Sequence, residues 1–135
     1  MATVNVTLSL SSTNLFEKQS ISFTETDVLA PAGDQQLIGR LKTSGSGTKD
    51  NIALKALDGT NDLAYLFLHN LSATTGEYVK VSLCATHGSD SASGDWFAVL
   101  GPGEFLFIPT SDMQDVDVEA AAGNPVVEYV LMEKA

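Results

Sequence analysis

The chain has 135 residues and a formal net charge of −10, with 17 acidic side chains against 7 basic ones and a single cysteine. This length suits one domain with a hydrophobic core of its own. The negative charge disfavours binding to nucleic acid or anionic membranes, and one cysteine cannot form an intramolecular disulfide.

Alternating polar and apolar residues predict the first strand over residues 3–10. One face of this strand carries its four apolar side chains, Val4, Val6, Leu8 and Leu10. Because the segment lies at the chain terminus, it can pair within its own sandwich or add to the sheet edge of a neighbouring subunit. We therefore expect a single β-domain over residues 1–135, in which residues 1–14 can form an extended N-terminal arm.

Polar and glycine-rich segments separate the strands that follow. We expect residues 11–14 to end the first strand, and residues 27–33 to form a loop because Pro31 and Gly33 interrupt regular structure. Residues 43–50 have the composition of a solvated loop or hairpin tip. Short strands are predicted around these breaks, over residues 19–26, 36–41 and 51–57.

The second half of the chain is richer in apolar runs. Residues 63–69 are apolar at nearly every position, which predicts a central strand covered on both faces. Further strands are predicted over residues 78–85, 96–100, 104–108, 114–121 and 125–133. The spacing predicts an all-β chain with an antiparallel β-sandwich or jelly-roll-like fold, about nine strands and little or no helix.

Residues that could carry catalysis are sparse. Cysteine, histidine, serine and aspartate occur together over residues 84–90, but structural zinc takes four ligands and a hydrolytic triad is defined by its geometry. Residues 45–49 lack the Gly-Lys-Ser/Thr sequence of a phosphate loop. We therefore predict no catalytic residue, no metal and no cofactor.

An acidic stripe is predicted on the strand near residues 114–121. Asp115, Asp117 and Glu119 share one face of this strand, and valines occupy the other face. Carboxylates at this spacing stand ~7 Å apart along a strand, too far to share one cation. We expect a solvated sheet face here, with contact to a basic partner surface as the alternative.

Five segments in the second half form a series. They are an apolar strand ending in asparagine, a Val-Lys-Val-Ser-Leu strand, a Gly-Pro-Gly-Glu-Phe corner, an Asp-Val-Asp-Val-Glu-Ala strand and a Val-Glu-Tyr-Val-Leu-Met-Glu end. They lie at residues 63–70, 79–83, 100–109, 115–120 and 127–133. This series, which covers about half of the chain, resembles small β-sandwich virion structural proteins of tailed bacteriophages, of the capsid decoration (cement) type.

The resemblance implies a non-enzymatic protein that binds the major capsid protein and stabilises the shell. It implies a homo-oligomer, with a trimer favoured, on the outer capsid surface of the virion after synthesis in the host cytoplasm. No nucleic-acid or membrane partner is expected. The alternative is a neck, tail or fibre-associated module that binds a receptor or glycan. Partner contacts are predicted at Val4, Val6, Leu8, Leu10, Asp115, Asp117 and Glu119.

Overall fold

The fold is given by a computed structural model, which describes residues 4–16, 19–29, 31–52, 64–84, 96–110 and 115–134. These residues form ten strands, and none of them is helical. The strands are β1 (Val4–Phe16), β2 (Gln19–Leu29), β3 (Pro31–Lys42), β4 (Lys49–Ile52), β5 (Ala64–Asn70), β6 (Val79–Cys84), β7 (Ala98–Leu100), β8 (Phe105–Thr110), β9 (Asp115–Ala120) and β10 (Val126–Lys134). Accordingly, this part of the chain contains no helix that could cross a membrane.

Eight strands form two four-stranded antiparallel sheets. The front sheet has the order β3-β10-β5-β8, and the back sheet has the order β4-β9-β6-β7. The pairs are nested along the chain, since β6 pairs with β7, β5 with β8, β4 with β9 and β3 with β10. This nesting is the strand order of a jelly roll, an eight-stranded double-sheet fold. The predicted all-β, sandwich or jelly-roll-like fold is therefore confirmed.

The hydrophobic core lies between the two sheets and is built from alternating residues. Every second side chain along a strand points to the same face of the sheet, so each central strand contributes two or more aliphatic residues to the core. The fully buried ones are Leu66 and Leu68 on β5, Val127 and Leu131 on β10, Val79 and Val81 on β6, and Val116 and Val118 on β9. Burial of one such side chain stabilises the fold by about 1.5–3 kcal/mol.

Asn70, at the end of β5, ties together the turns at one end of the sandwich. Its buried side-chain amide lies 2.9 Å from the carbonyl oxygen of Glu77 and donates to those of Leu100 at 3.2 Å and Gly101 at 3.1 Å. Its side-chain oxygen accepts from the backbone N–H of Ser72 at 3.1 Å. One side chain thus provides hydrogen-bond partners for backbone N–H and carbonyl groups in the turns that follow β5 and β7.

The predicted break after the first strand is wrong. Residues 11–14 continue β1, which extends to Phe16 and pairs with β2. Ser11 lies opposite Ser22 and Ser12 lies opposite Ile21 in this ladder. Serine and threonine fit a paired, exposed strand, so their polarity alone does not end one.

The predicted loop over residues 27–33 is also wrong. β2 continues to Leu29, and β3 begins at Pro31, which lies opposite Lys134 of β10. Proline is tolerated as the first residue of a strand, where its missing N–H costs little.

The strands of the second half are confirmed to within a few residues. β5 lies between β10 and β8, as expected for a central strand, and Tyr65 on its outer face is buried. The predicted strand over residues 51–57 begins earlier, at Lys49, and only its residues 51 and 52 are described. Most of the cysteine–histidine segment, residues 85–90, lies outside the described residues.

Candidate interaction surface

β1 and β2 form a two-stranded antiparallel ribbon that belongs to neither sheet. Direct cross-strand partners share a face, so the register places Leu8 with Glu25 and Leu10 with Phe23. One face of the ribbon therefore carries an apolar row, which we call the stripe: Val4, Val6, Leu8, Leu10 and Phe23. Glu25 and Asp27 of β2 lie on the same face. The sequence predicted the first four of these residues on one face, and the structure confirms it.

The opposite face of the ribbon is polar. Thr7 shares a hydrogen bond with Thr26 at 3.3 Å, and Ser9 shares one with Thr24 at 3.4 Å. Cross-strand hydroxyl pairs of this kind stabilise an exposed sheet face modestly. β1 is thus amphipathic from its start to Leu10, which is the pattern of a strand with one face against another surface.

The near end of the stripe packs on the outer face of the front sheet. Val4 and Val6 are half-buried against Tyr65 and Met132, with Phe107 beside them. Leu66 and Leu131 point into the core, so their chain neighbours Tyr65 and Met132 point outward. The ribbon therefore lies on the side of the front sheet that faces away from the back sheet.

The far end of the stripe is exposed. Leu8 keeps 45% of its surface accessible, Leu10 53% and Phe23 42%. Within the described residues, β1 and β2 pair only with each other, so neither strand gains cover from a third one. A two-stranded ribbon is marginally stable in water by itself.

An open apolar cleft of about 430 Å³ lies between the ribbon and the front sheet. Its walls include the near end of the stripe and four residues of the sheet, Ile38, Phe67, Phe105 and Phe107. Ile38 and Phe105 are 68% and 62% exposed, so part of the cleft wall is open to solvent.

Aromatic contacts hold the sheet side of the cleft in place. Tyr65 stacks on Phe107 with ring centroids 5.9 Å apart, and Phe67 packs against Phe105 at 6.1 Å. Aromatic pairs at such distances contribute about 0.5–1.5 kcal/mol beyond their buried area. The cleft therefore has a preformed apolar wall.

The acidic stripe is not a solvated sheet face, and that prediction is wrong. Asp115 is 6% exposed, Asp117 is fully buried and Glu119 is 9% exposed. The Asn51 side-chain amide donates to Asp117 at 3.0 Å, and the Lys80 ammonium donates to Glu119 at 3.1 Å. Burial of a carboxylate requires such partners, so these neighbours explain how the acidic residues can be buried on the outer face of the back sheet.

The lysines beside the acidic stripe also contact a tryptophan. The ammonium groups of Lys49 and Lys80 lie 5.2 and 5.4 Å from the centroid of the Trp96 ring. A cation over an indole face is attracted by the ring electrons. The ring is therefore part of a charged cluster on the outer side of the back sheet.

Among the described residues, no group of three or more histidine, cysteine, aspartate or glutamate side chains is arranged to hold a metal ion. No protein-family model matches the chain, and neither the search of curated proteins nor that of solved structures found a match.

The structure separates the predicted contact residues into two groups. Val4, Val6, Leu8 and Leu10 lie together on the ribbon at the front sheet, whereas the three acidic residues lie on β9 in the back sheet. Phe23, Ile38 and Phe105 join the first group, and no pattern in the sequence predicted them as contact residues. Alternation of polar and apolar residues assigns each of these side chains to one face of its strand. Only the pairing register shows which side chains of different strands are neighbours.

Proposed function

We propose that this protein is a non-enzymatic virion structural protein of tailed bacteriophages, which decorates the capsid by binding the major capsid protein and stabilises the shell. The family resemblance of the second half supports this assignment. Jelly rolls occur in viral capsid proteins and also in lectins and cupins. The fold is therefore compatible with a capsid protein, but it does not distinguish this function from the others.

The observation that carries the proposal is the ribbon outside the two sheets. β1 has 13 residues and β2 has 11, and their outer edges face no further strand of the described part of the chain. An unpaired strand edge is a template for main-chain hydrogen bonds with another protein. We propose that the free edge of β1 pairs with an edge strand of the major capsid protein and so extends a sheet of that protein.

The charge of the chain fits a place on the outside of the shell. A net charge of −10 is repelled by packaged DNA and keeps the free protein soluble. Repetition over a symmetric shell multiplies weak contacts, so each ribbon needs only modest affinity.

Particle stability tests the proposal. Virions that lack the protein are compared with complete virions during heating and during dilution into low salt, and genome release is followed by dye fluorescence. We expect the deficient particles to release DNA at lower temperature, and purified protein added back should restore the original temperature. Equal resistance of the two particles would refute the assignment.

The alternative function is a neck, tail or fibre-associated module that binds a receptor or a glycan. Tyr78, Phe97 and Val99 are exposed near the β6–β7 edge of the back sheet, and exposed aromatic groups can stack on sugar rings. Copy number separates the two functions, because a tail module occupies few sites per particle. Binding of labelled protein to host cells in the absence of capsids would favour this alternative.

A further inference from the structure

We infer that the cleft beside the ribbon receives one extended segment of the partner protein, in which every second side chain is large and apolar. The segment adds to the free edge of β1 as a third strand and lays its apolar side chains on the front sheet. The identity of the partner rests on the proposed function, because this inference specifies the strand that pairs with β1. The binding itself can be measured with a synthetic peptide.

The cleft lies along the free edge of β1. Its wall on the ribbon side consists of four consecutive residues, 4–7. Successive side chains of a strand point to opposite faces, and the Thr7 hydroxyl lies on the far face, where it contacts that of Thr26. Consecutive residues therefore border this cleft through the edge of the strand, where the main-chain groups lie. The other edge of β1 pairs with β2.

The floor of the cleft is an apolar row across the front sheet. Val130 lies between Ile38 and Phe67 in the register. Phe67 lies in turn opposite Phe107. Direct partners share a face and neighbouring strands are about 4.8 Å apart, so the row is about 14 Å long. An extended segment of about four residues has the same length.

The exposed part of this floor is one row wide. On one side, the ribbon covers Tyr65 and Met132. On the other side, the next row contains Arg40, whose Nη2 atom lies 2.9 Å from a carboxylate oxygen of Glu128. Rows on one face of a sheet are about 7 Å apart, which suits a single strand, whereas an α-helix with its side chains is about 10–12 Å wide.

An extended peptide matches both walls of the cleft chemically. A purely apolar ligand, such as a lipid chain, would cover the N–H and carbonyl groups of the β1 edge without bonding them, and buried polar groups without partners are destabilising. A wholly polar ligand would gain nothing from the apolar floor. A strand supplies both contacts, because its main chain pairs with the edge while its alternate side chains face the floor.

A designed peptide tests the inference. The probe is a short capped peptide in which threonine alternates with valine or phenylalanine, with lysine at both ends because the chain carries a net charge of −10. Its control is an isomer with the same residues, in which the apolar ones are consecutive. In fluorescence anisotropy titrations, we expect the alternating peptide to have a dissociation constant about tenfold lower or more. Equal affinities of the two isomers would overturn the inference.

Amide hydrogen exchange distinguishes strand addition from other binding. Neighbouring N–H groups of a strand point to opposite edges, and β2 already pairs with one set of them in β1. The alternating peptide should therefore protect every second amide of residues 4–7 much more strongly than the others. Equal protection of both sets, or protection of neither, would overturn the inference. A fatty acid that displaces the peptide without protecting these amides would assign the cleft to a lipid ligand instead.

A floor variant locates the bound peptide. Ile38→Thr shortens an exposed side chain of the floor, so the fold should be retained, which urea unfolding checks. The matched control is Val99→Thr, which changes an exposed side chain of the back sheet. We expect the dissociation constant of the alternating peptide to rise about fivefold or more in the floor variant, and less than about twofold in the control. Equal effects would show that the peptide binds elsewhere.

Capsid shells separate this inference from the proposed function. If shells bind the wild-type chain and the Ile38→Thr variant equally well, the inference fails and the decoration function stands. If the alternating peptide binds at the cleft and shells do not bind the wild-type chain, the decoration function fails and the inference stands for a different partner.

Discussion

Leu10 lies directly opposite Phe23 across the β1–β2 ribbon, and both side chains are exposed. On the same face, Val4 and Val6 pack against the front sheet. The ribbon is therefore anchored to the sandwich through one end of its apolar face. Local stability follows the density of buried contacts, so it should fall along β1 from Val4 toward Leu10.

Amide hydrogen exchange should report this gradient. In dilute protein, we expect the amides of β1 beyond Leu8 to exchange much faster than those of β5, whose core-facing leucines are fully buried. Protection of β1 should increase on addition of capsid shells. Equal protection of β1 and β5 in the free protein would show that the ribbon is already covered in a single chain.

Replacement of Asn70 should be among the most destabilising polar substitutions. Asn70→Ala would leave the buried carbonyl oxygens of Leu100 and Gly101 without this donor, at a cost of about 3 kcal/mol in the free energy of unfolding. The control is Asn124→Ala, an exposed asparagine with one hydrogen bond to the carbonyl of Thr43, which should cost about 1 kcal/mol or less. Urea unfolding of both variants measures the difference, and similar costs would contradict the role of Asn70.

Gly39 makes room for a tyrosine on the neighbouring strand. Gly39 of β3 lies opposite Tyr129 of β10, and an added methyl group would lie 2.5 Å from the tyrosine hydroxyl oxygen. Gly39→Ala should therefore cost about 1–3 kcal/mol of stability through overpacking. In the Tyr129→Leu background, where the ring is absent, the same substitution should cost clearly less. A thermodynamic cycle by urea unfolding checks this, and an unchanged cost would rule out the steric explanation.

Lys80 and Glu119 should be energetically coupled. Their ion pair of 3.1 Å lies on the outer side of the back sheet, where Glu119 is only 11% exposed in its side chain. Lys80→Met leaves a nearly buried carboxylate with one partner fewer, whereas Lys80→Met/Glu119→Gln removes the charge as well. We expect a coupling energy of about 1 kcal/mol or more from the double-mutant cycle. Additive effects would show that the pair contributes no specific interaction.

Local patterns in the sequence predicted the class of fold and one half of the candidate surface. Alternation placed Val4, Val6, Leu8 and Leu10 on one face because strand periodicity is a property of neighbouring residues. The pairing of Leu10 with Phe23 was not predictable, since it depends on the register of two strands. The first strand pairs with β2 in a separate ribbon and not within the two sheets, and its expected pairing with the sheet edge of a neighbouring subunit stays a prediction.

The burial of the acidic stripe could not be predicted from its own residues. Alternating acidic residues and valines on β9 indicate two different sheet faces but not that both of them are buried. Asn51 and Lys80, which contact Asp117 and Glu119, lie on other strands far away in the chain. Only the tertiary structure brings these partners together.

The number of copies bound per capsid tests the central proposal most directly. Purified protein is added in excess to shells that lack it, the shells are pelleted, and bound protein is measured against the major capsid protein by quantitative gel densitometry. A decoration protein predicts saturation on the order of hundreds of copies per shell, because every symmetric site can be filled. Saturation at a few tens of copies or fewer, or no binding at all, would contradict it.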